Sequence, residues 1–119
     1  MDWTALQGII QGGESETVEF KKSTAQLPRA GETLCAFLNG NGGMVVIGVG
    51  ADGKIVGQDV ADSTQQDIAR MLDRFEPPAP VETSVLPLPR SGKSAVVLRA
   101  PRIADARPFT YDGRPYQRG

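Results

Sequence analysis

The chain has no histidine, and its only cysteine among 119 residues is Cys35. The missing histidine excludes Ser-His-Asp and Cys-His catalysis and removes the commonest ligand of a zinc site. A single cysteine cannot close an internal disulfide, and an unpaired thiol fits a reducing cytoplasm, where we expect the protein to act. Cys35 lies among apolar residues at helical spacing with no adjacent base, so it reads as a small core residue and not as a nucleophile. No apolar run is long enough to span a membrane, and Met1-Asp2-Trp3-Thr4 lacks the pattern of a signal peptide, so no membrane partner is expected. Internal repeats and low-complexity linkers are also missing. The length therefore suits one domain over residues 1–119 with one core.

Charge is near balance overall but unevenly placed. Residues 1–89 carry six Lys and Arg against twelve Asp and Glu, whereas residues 90–119 carry seven (Arg90, Lys93, Arg99, Arg102, Arg107, Arg114, Arg118) against Asp105 and Asp112. Such asymmetry points to an anionic partner, unless the two segments neutralise one another in the fold.

The chain is organised around residues 34–53. Leu34, Phe37 and Leu38 have helical spacing, and Asn39 to Gly43 tolerate the positive φ that ends a helix. Met44 to Val49 reads as a buried strand, and Ala51-Asp52-Gly53-Lys54 as a hairpin turn from which Ile55-Val56-Gly57 resumes the sheet. Upstream, residues 3–11 predict a short helix, with Trp3, Leu6, Ile9 and Ile10 on one side. Thr17 to Lys21 predicts a strand with Val18 and Phe20 on one face and Glu19 and Lys21 on the other, and Gln26 to Leu38 predicts a second helix. Downstream, Asp62-Ser63 can cap a third helix that carries Ile68, Met71, Leu72 and Phe75 until Pro77-Pro78 stops it. Val81 to Leu88 and Ser94 to Ala100 predict two strands, and Tyr111 to Arg114 a turn into a last strand, Pro115 to Arg118. This order implies an α/β (α+β) fold, a mixed β-sheet flanked by about three helices.

Two nucleotide-binding patterns nearly match and are rejected. Gly48-Val49-Gly50-Ala51-Asp52-Gly53 spells G-x-G-x-x-G, but a strand-like segment follows where a dinucleotide site needs a helix. Gly92-Lys93-Ser94 resembles the end of a P-loop, but Pro87 replaces the required glycine and Ala95 to Leu98 is no helix.

Three blocks carry a family resemblance: Glu14-Ser15-Glu16-Thr17-Val18-Glu19-Phe20-Lys21-Lys22-Ser23, then Phe37-Leu38-Asn39 through Gly42-Gly43 to Ile47-Gly48-Val49, and last Arg107-Pro108-Phe109 through Tyr116-Gln117-Arg118-Gly119. In this order they resemble the AlbA-type domain (AlbA_2, Schlafen AlbA-like) of bacterial transcriptional regulators and RecG-like helicase-related proteins. The resemblance implies a DNA-binding domain. Relatives usually continue past the final arginine–glycine pair, so the chain is expected to be the N-terminal fragment of a longer protein.

The resemblance also implies candidate site residues. In Schlafen-type nucleases this block carries two glutamates five positions apart, matched here by Glu14 and Glu19, with a third carboxylate near the Ile-Gly-Val turn, where Asp52 is the nearest acid. Three converging carboxylates could hold Mg²⁺ or Mn²⁺ to activate water against a phosphodiester; the plain alternative is a solvated acidic strand entry. The second candidate is cationic. Lys21, Lys22, Arg99, Arg102, Arg107, Arg114 and Arg118 could grip phosphates, and Phe109, Tyr111 and Tyr116 among them could stack on bases, unless these aromatics pack into the core.

The leading expectation is thus a non-enzymatic, cofactor-free nucleic-acid-binding domain of a transcriptional regulator. It would bind mainly the phosphate backbone, with DNA preferred over RNA. The alternatives are a divalent-metal-dependent RNA endonuclease using Glu14, Glu19 and Asp52, and an oligomerisation module, a homodimer with strand Val96-Val97-Leu98 at its interface.

Overall fold

The computed structural model describes residues 1–104 and 108–118. Helix α1, Trp3–Gln11, starts where Asp2 accepts a 2.8 Å hydrogen bond from the Ala5 N–H, satisfying one of the free donors of the first turn. Strand β1, Val18–Lys21, leads through a 3-10 turn at Thr24–Gln26 into helix α2, Leu27–Leu38. The expected second helix thus starts one residue later, with Pro28 in its first turn. Strand β2, Gly43–Ile47, follows. It ends two residues short of the predicted Val49, because Gly48 turns at φ +103 and donates to the Lys21 carbonyl at the end of β1.

Helix α3, Asp62–Leu72, differs from expectation at both ends. Ala61 is its N-cap, and its N–H is taken by Thr64 Oγ1 from the first turn. Phe75, predicted on the helix, instead belongs to strand β3, Phe75–Glu76, paired with Tyr111. The pairing partner lies far along the chain, so local periodicity could not reveal it. Strands β4, Glu82–Pro87, and β5, Ser94–Ala100, form the predicted pair. Strands β6, Thr110–Tyr111, and β7, Arg114–Pro115, close a hairpin over Asp112 and Gly113, both at positive φ as its two-residue turn requires. The last strand is therefore earlier and shorter than the predicted Pro115 to Arg118.

The main sheet has the order β1-β2-β5-β4, with β1 parallel to β2 and the other pairs antiparallel. Its pleat sends alternate residues to two cores. Val45, Ile47, Val96 and Leu98 pack with α2 and α3, while Phe20, Val46, Ala95 and Val97 pack with Leu6 and Ile10 of α1. The fold is a mixed sheet flanked by three helices, as predicted, and the structure shows them covering both of its faces. Strand β5 lies inside this sheet with Val96, Val97 and Leu98 buried, so it cannot serve as the expected dimer interface. The small sheet β3-β6-β7 sits against α2. Gly31 makes this possible: a Cβ there would stand 2.5 Å from the Tyr111 ring.

Both rejected nucleotide motifs lie in turns without a following helix. Gly50 to Lys54 is a tight turn closed by a Gly50 N–H bond to Lys54 O, and Gly92 lies in the β4–β5 turn at φ +71. After the first, only an isolated Val49–Ile55 bridge continues the expected hairpin. Among the described residues, no helix is long and apolar enough to cross a membrane.

Candidate functional site

The three candidate carboxylates do separate work. Strand β1 is an edge of the sheet, so its outward N–H groups need partners. Glu14 supplies one: its Oε2 accepts from the Phe20 N–H at 2.9 Å. Glu19 points to the α2 face, where its Oε2 accepts from Arg118 at 2.8 Å and from Thr33 Oγ1 at 3.3 Å. Burial pushes the Glu19 carboxyl up, but the hydrogen bond and charge of Arg118, with the charge of Lys21, outweigh it and hold the group below its usual range. Glu14 neighbours it there. Asp52 does not join them. Its Oδ1 accepts from the Lys54 N–H at 3.0 Å within the turn, and the adjoining Gly53 lies beside the Ile10 carbonyl of α1, on the opposite side of the sheet. Among the described residues no three Asp, Glu, Cys or His side chains are grouped to hold a metal ion.

The C-terminal segment is held by two side chains. Asn39 ends α2, donating through Nδ2 to the carbonyls of Phe109 (2.9 Å) and Tyr116 (3.0 Å) and accepting at Oδ1 from the Phe109 N–H (2.6 Å). This explains the Phe-Leu-Asn block physically: the amide offers donors and an acceptor in one plane, matched to an extended backbone. The buried Cys35 thiol donates to the same Phe109 carbonyl at 3.3 Å, and burial raises its pKa, which leaves it an inert core residue as expected. Arg118 is the other clasp. It bonds Glu19, donates to the Ser15 carbonyl at 2.9 Å and lies 5.2 Å from the centre of the Phe37 ring. Phe109 and Tyr111 are core residues and Tyr116 packs against that core, so the alternative to base stacking holds for them.

The candidate cations do not form one patch. Lys21 and Lys22 lie at the far end of β1, Arg114 is exposed on β7, Arg118 is engaged as above, and Arg107 lies outside the described residues. Among the described candidates, Arg99 and Arg102 line one common recess. Residues Val18, Met44, Arg99 and Glu82 form one row across the sheet. Arg99 therefore extends the face covered by α1, at an end where it is exposed to solvent. Gly42, at φ +77, lets the chain after β5 press close: a Cβ there would lie 2.7 Å from the Arg102 backbone nitrogen. The result is an open recess of about 300 Å³, lined by Thr17, Asn41, Met44, Arg99 and Arg102 among others and free of carboxylates. Among the described residues neither arginine forms an ion pair. A second recess of about 250 Å³ shares Thr17, Asn41 and Gly42 with the first and is also lined by Glu16, Phe37, Gln117 and Arg118.

Comparison with known families is decisive for kinship. The profile described as Schlafen, AlbA_2 matches residues 14–119. The chain belongs to the Schlafen AlbA_2 family. Among solved structures, the AlbA_2 fold seen here is similar to the solution NMR structure of the N-terminal domain of an ATP-dependent DNA helicase RecG-related protein from Nitrosomonas europaea. The identity is 20% and the TM-score 0.66, over 99% of this chain and 88% of that one. It is also similar to a crystal structure of the DIP2311 protein from Corynebacterium diphtheriae, at 14% identity and a TM-score of 0.57. That match covers 92% of this chain but only 23% of the other. No curated protein matches the sequence. In this AlbA_2 domain the sequence-based reading missed the parts played by Asn39 and by Gln58. The Gln58 side chain ties Thr24 to the start of β5 by accepting from the Thr24 N–H at 2.8 Å while its backbone pairs with Ser94. For Asn39 the signal was its place between the helix and the glycines; for Gln58 there was none.

Proposed function

We propose that this AlbA_2 domain binds nucleic acid, DNA in preference to RNA, as part of a transcriptional regulator, and that it grips the phosphate backbone through Arg99 and Arg102. The observation that carries this reading is the carboxylate-free recess in which two exposed arginines stand beside a glycine corner. Guanidinium groups suit phosphate oxygens, and a shallow open site suits a continuous backbone better than a small ligand. The name of the Nitrosomonas relative, a DNA helicase RecG-related protein, supports DNA as the partner.

Fluorescence anisotropy of labelled duplex DNA, with single-stranded RNA alongside, across a salt series in EDTA tests the proposal. Binding should weaken steeply with salt, and Arg99→Ala with Arg102→Ala should lower the salt slope by roughly two. Unchanged affinity and slope in the double variant would move the contact elsewhere. The metal-dependent nuclease reading keeps one observation in its favour, the closeness of Glu14 to Glu19. Adding Mn²⁺ to the same tubes tests it: cleavage should appear and vanish in Glu14→Gln, and its absence from the start would dismiss the reading.

A further inference from the structure

We infer that the recess beside the arginine groove receives one unpaired base of the bound strand, so that this domain prefers single-stranded or distorted nucleic acid to perfect duplex. The inference rests on the phosphate-binding reading above and deepens it. The two recesses meet at Thr17, Asn41 and Gly42, the arrangement needed for a base and its own phosphate to be held together. Their chemistry differs in the matching way. The groove offers Arg99 and Arg102 and no carboxylate, which suits phosphate. The second recess places Glu16 on its rim, which disfavours a phosphate but can accept from the amino or imino groups of a base. Asn41 and Gln117 contribute exposed amides with no hydrogen-bond partner among the described residues, and each supplies both donors and an acceptor to a base edge.

A stacking surface is present although the tyrosines are not available. The fork of Arg118 is fixed at both ends, to Glu19 at 2.8 Å and the Ser15 carbonyl at 2.9 Å, while its side chain remains 34% exposed beside Phe37. A guanidinium held flat in this way stacks on a base without losing further freedom. Arg118 then works through its plane, whereas Arg99 and Arg102 work through their charge.

The test compares this chain on a short single-stranded DNA and on an abasic strand with the same number of phosphates, at one salt concentration, by anisotropy. The intact strand should bind about tenfold more tightly. Gln117→Ala, at a position that lines the second recess but not the groove, should narrow that gap while leaving abasic binding unchanged, and Gln117 is exposed, so the fold should survive. Arg99→Ala with Arg102→Ala should weaken both strands equally and leave the gap. Equal affinity of the native chain for the two strands overturns the base site while leaving the phosphate reading in place. Failure to bind either strand overturns the phosphate reading and the base site with it.

Discussion

The two faces of the main sheet are covered in different ways. Toward α2 and α3 the core is continuous, running from Ile47, Val96 and Leu98 through Leu34 to Phe109 and Tyr111. It is fastened at its far side by Asn39, which binds two carbonyls and one N–H of the C-terminal segment. Toward α1 the core is smaller, and one short helix of nine residues covers it. At the end of that face stand Met44 and the exposed Arg99. The first face spends its side chains on cohesion. The second leaves an end uncovered, where charged groups can meet a partner at little cost to the fold.

Asn39→Ala should break this contrast most severely. It removes hydrogen bonds from three backbone groups, of which the Phe109 carbonyl keeps only the weak Cys35 thiol donor, and a loss of about 3–5 kcal/mol in urea unfolding is expected. A loss below about 1 kcal/mol would show that water replaces the amide and that the fastening is not special. Leu6→Ala comes next. Leu6 is fully buried on the α1 side, so truncation should cost roughly 2–3 kcal/mol. A cost above that of Asn39→Ala would reverse the ranking of the two faces.

Glu19→Gln should have a smaller effect, about 1 kcal/mol near neutral pH, because the pair with Arg118 is partly solvated. Its pH dependence fixes the sign. The folded carboxyl is held below its ordinary value of 4.5, so the stability it contributes is complete above that value and is lost as pH falls through the lower folded value. The difference between native and variant unfolding should therefore be flat at neutral pH and close in acid. A difference that grows in acid contradicts the assignment. Smallest of all, Arg99→Ala with Arg102→Ala should change stability by less than about 0.5 kcal/mol, since both are exposed and neither is paired among the described residues. A larger loss would mean that the uncovered end helps hold the fold.

What could be read before the structure follows from range. Helix α1, strand β1 with its two faces, and strand β5 were legible because their signals are local: apolar residues at helical spacing, an apolar and polar alternation, and a continuous apolar run from Ala95 to Leu98. Phe75 misled because helical spacing persists past Leu72 even though its partner is Tyr111. The pair of glutamates was legible as a motif but not as a division of labour: Glu14 completes a strand edge and Glu19 anchors Arg118. The arginines read as one basic tail, and only the fold separates the clasp at Arg118 from the groove at Arg99 and Arg102. Linear charge counts cannot make that distinction, since side chains close in sequence diverge along strand and loop.

The Asn39 amide also bears on the order of events in time. Its bonds join residues 70 and 77 positions apart, and Arg118 reaches Glu19 across 99. Contacts so distant close late, after the loop entropy between them has been overcome. During synthesis the end of α2 must therefore wait, its amide bound to water, until the segment carrying Phe109 and Tyr116 has left the ribosome. The glycine corner and the rim beside it should be the last part of the domain to become ordered, and the slowest phase of refolding should report the arrival of the C-terminal segment.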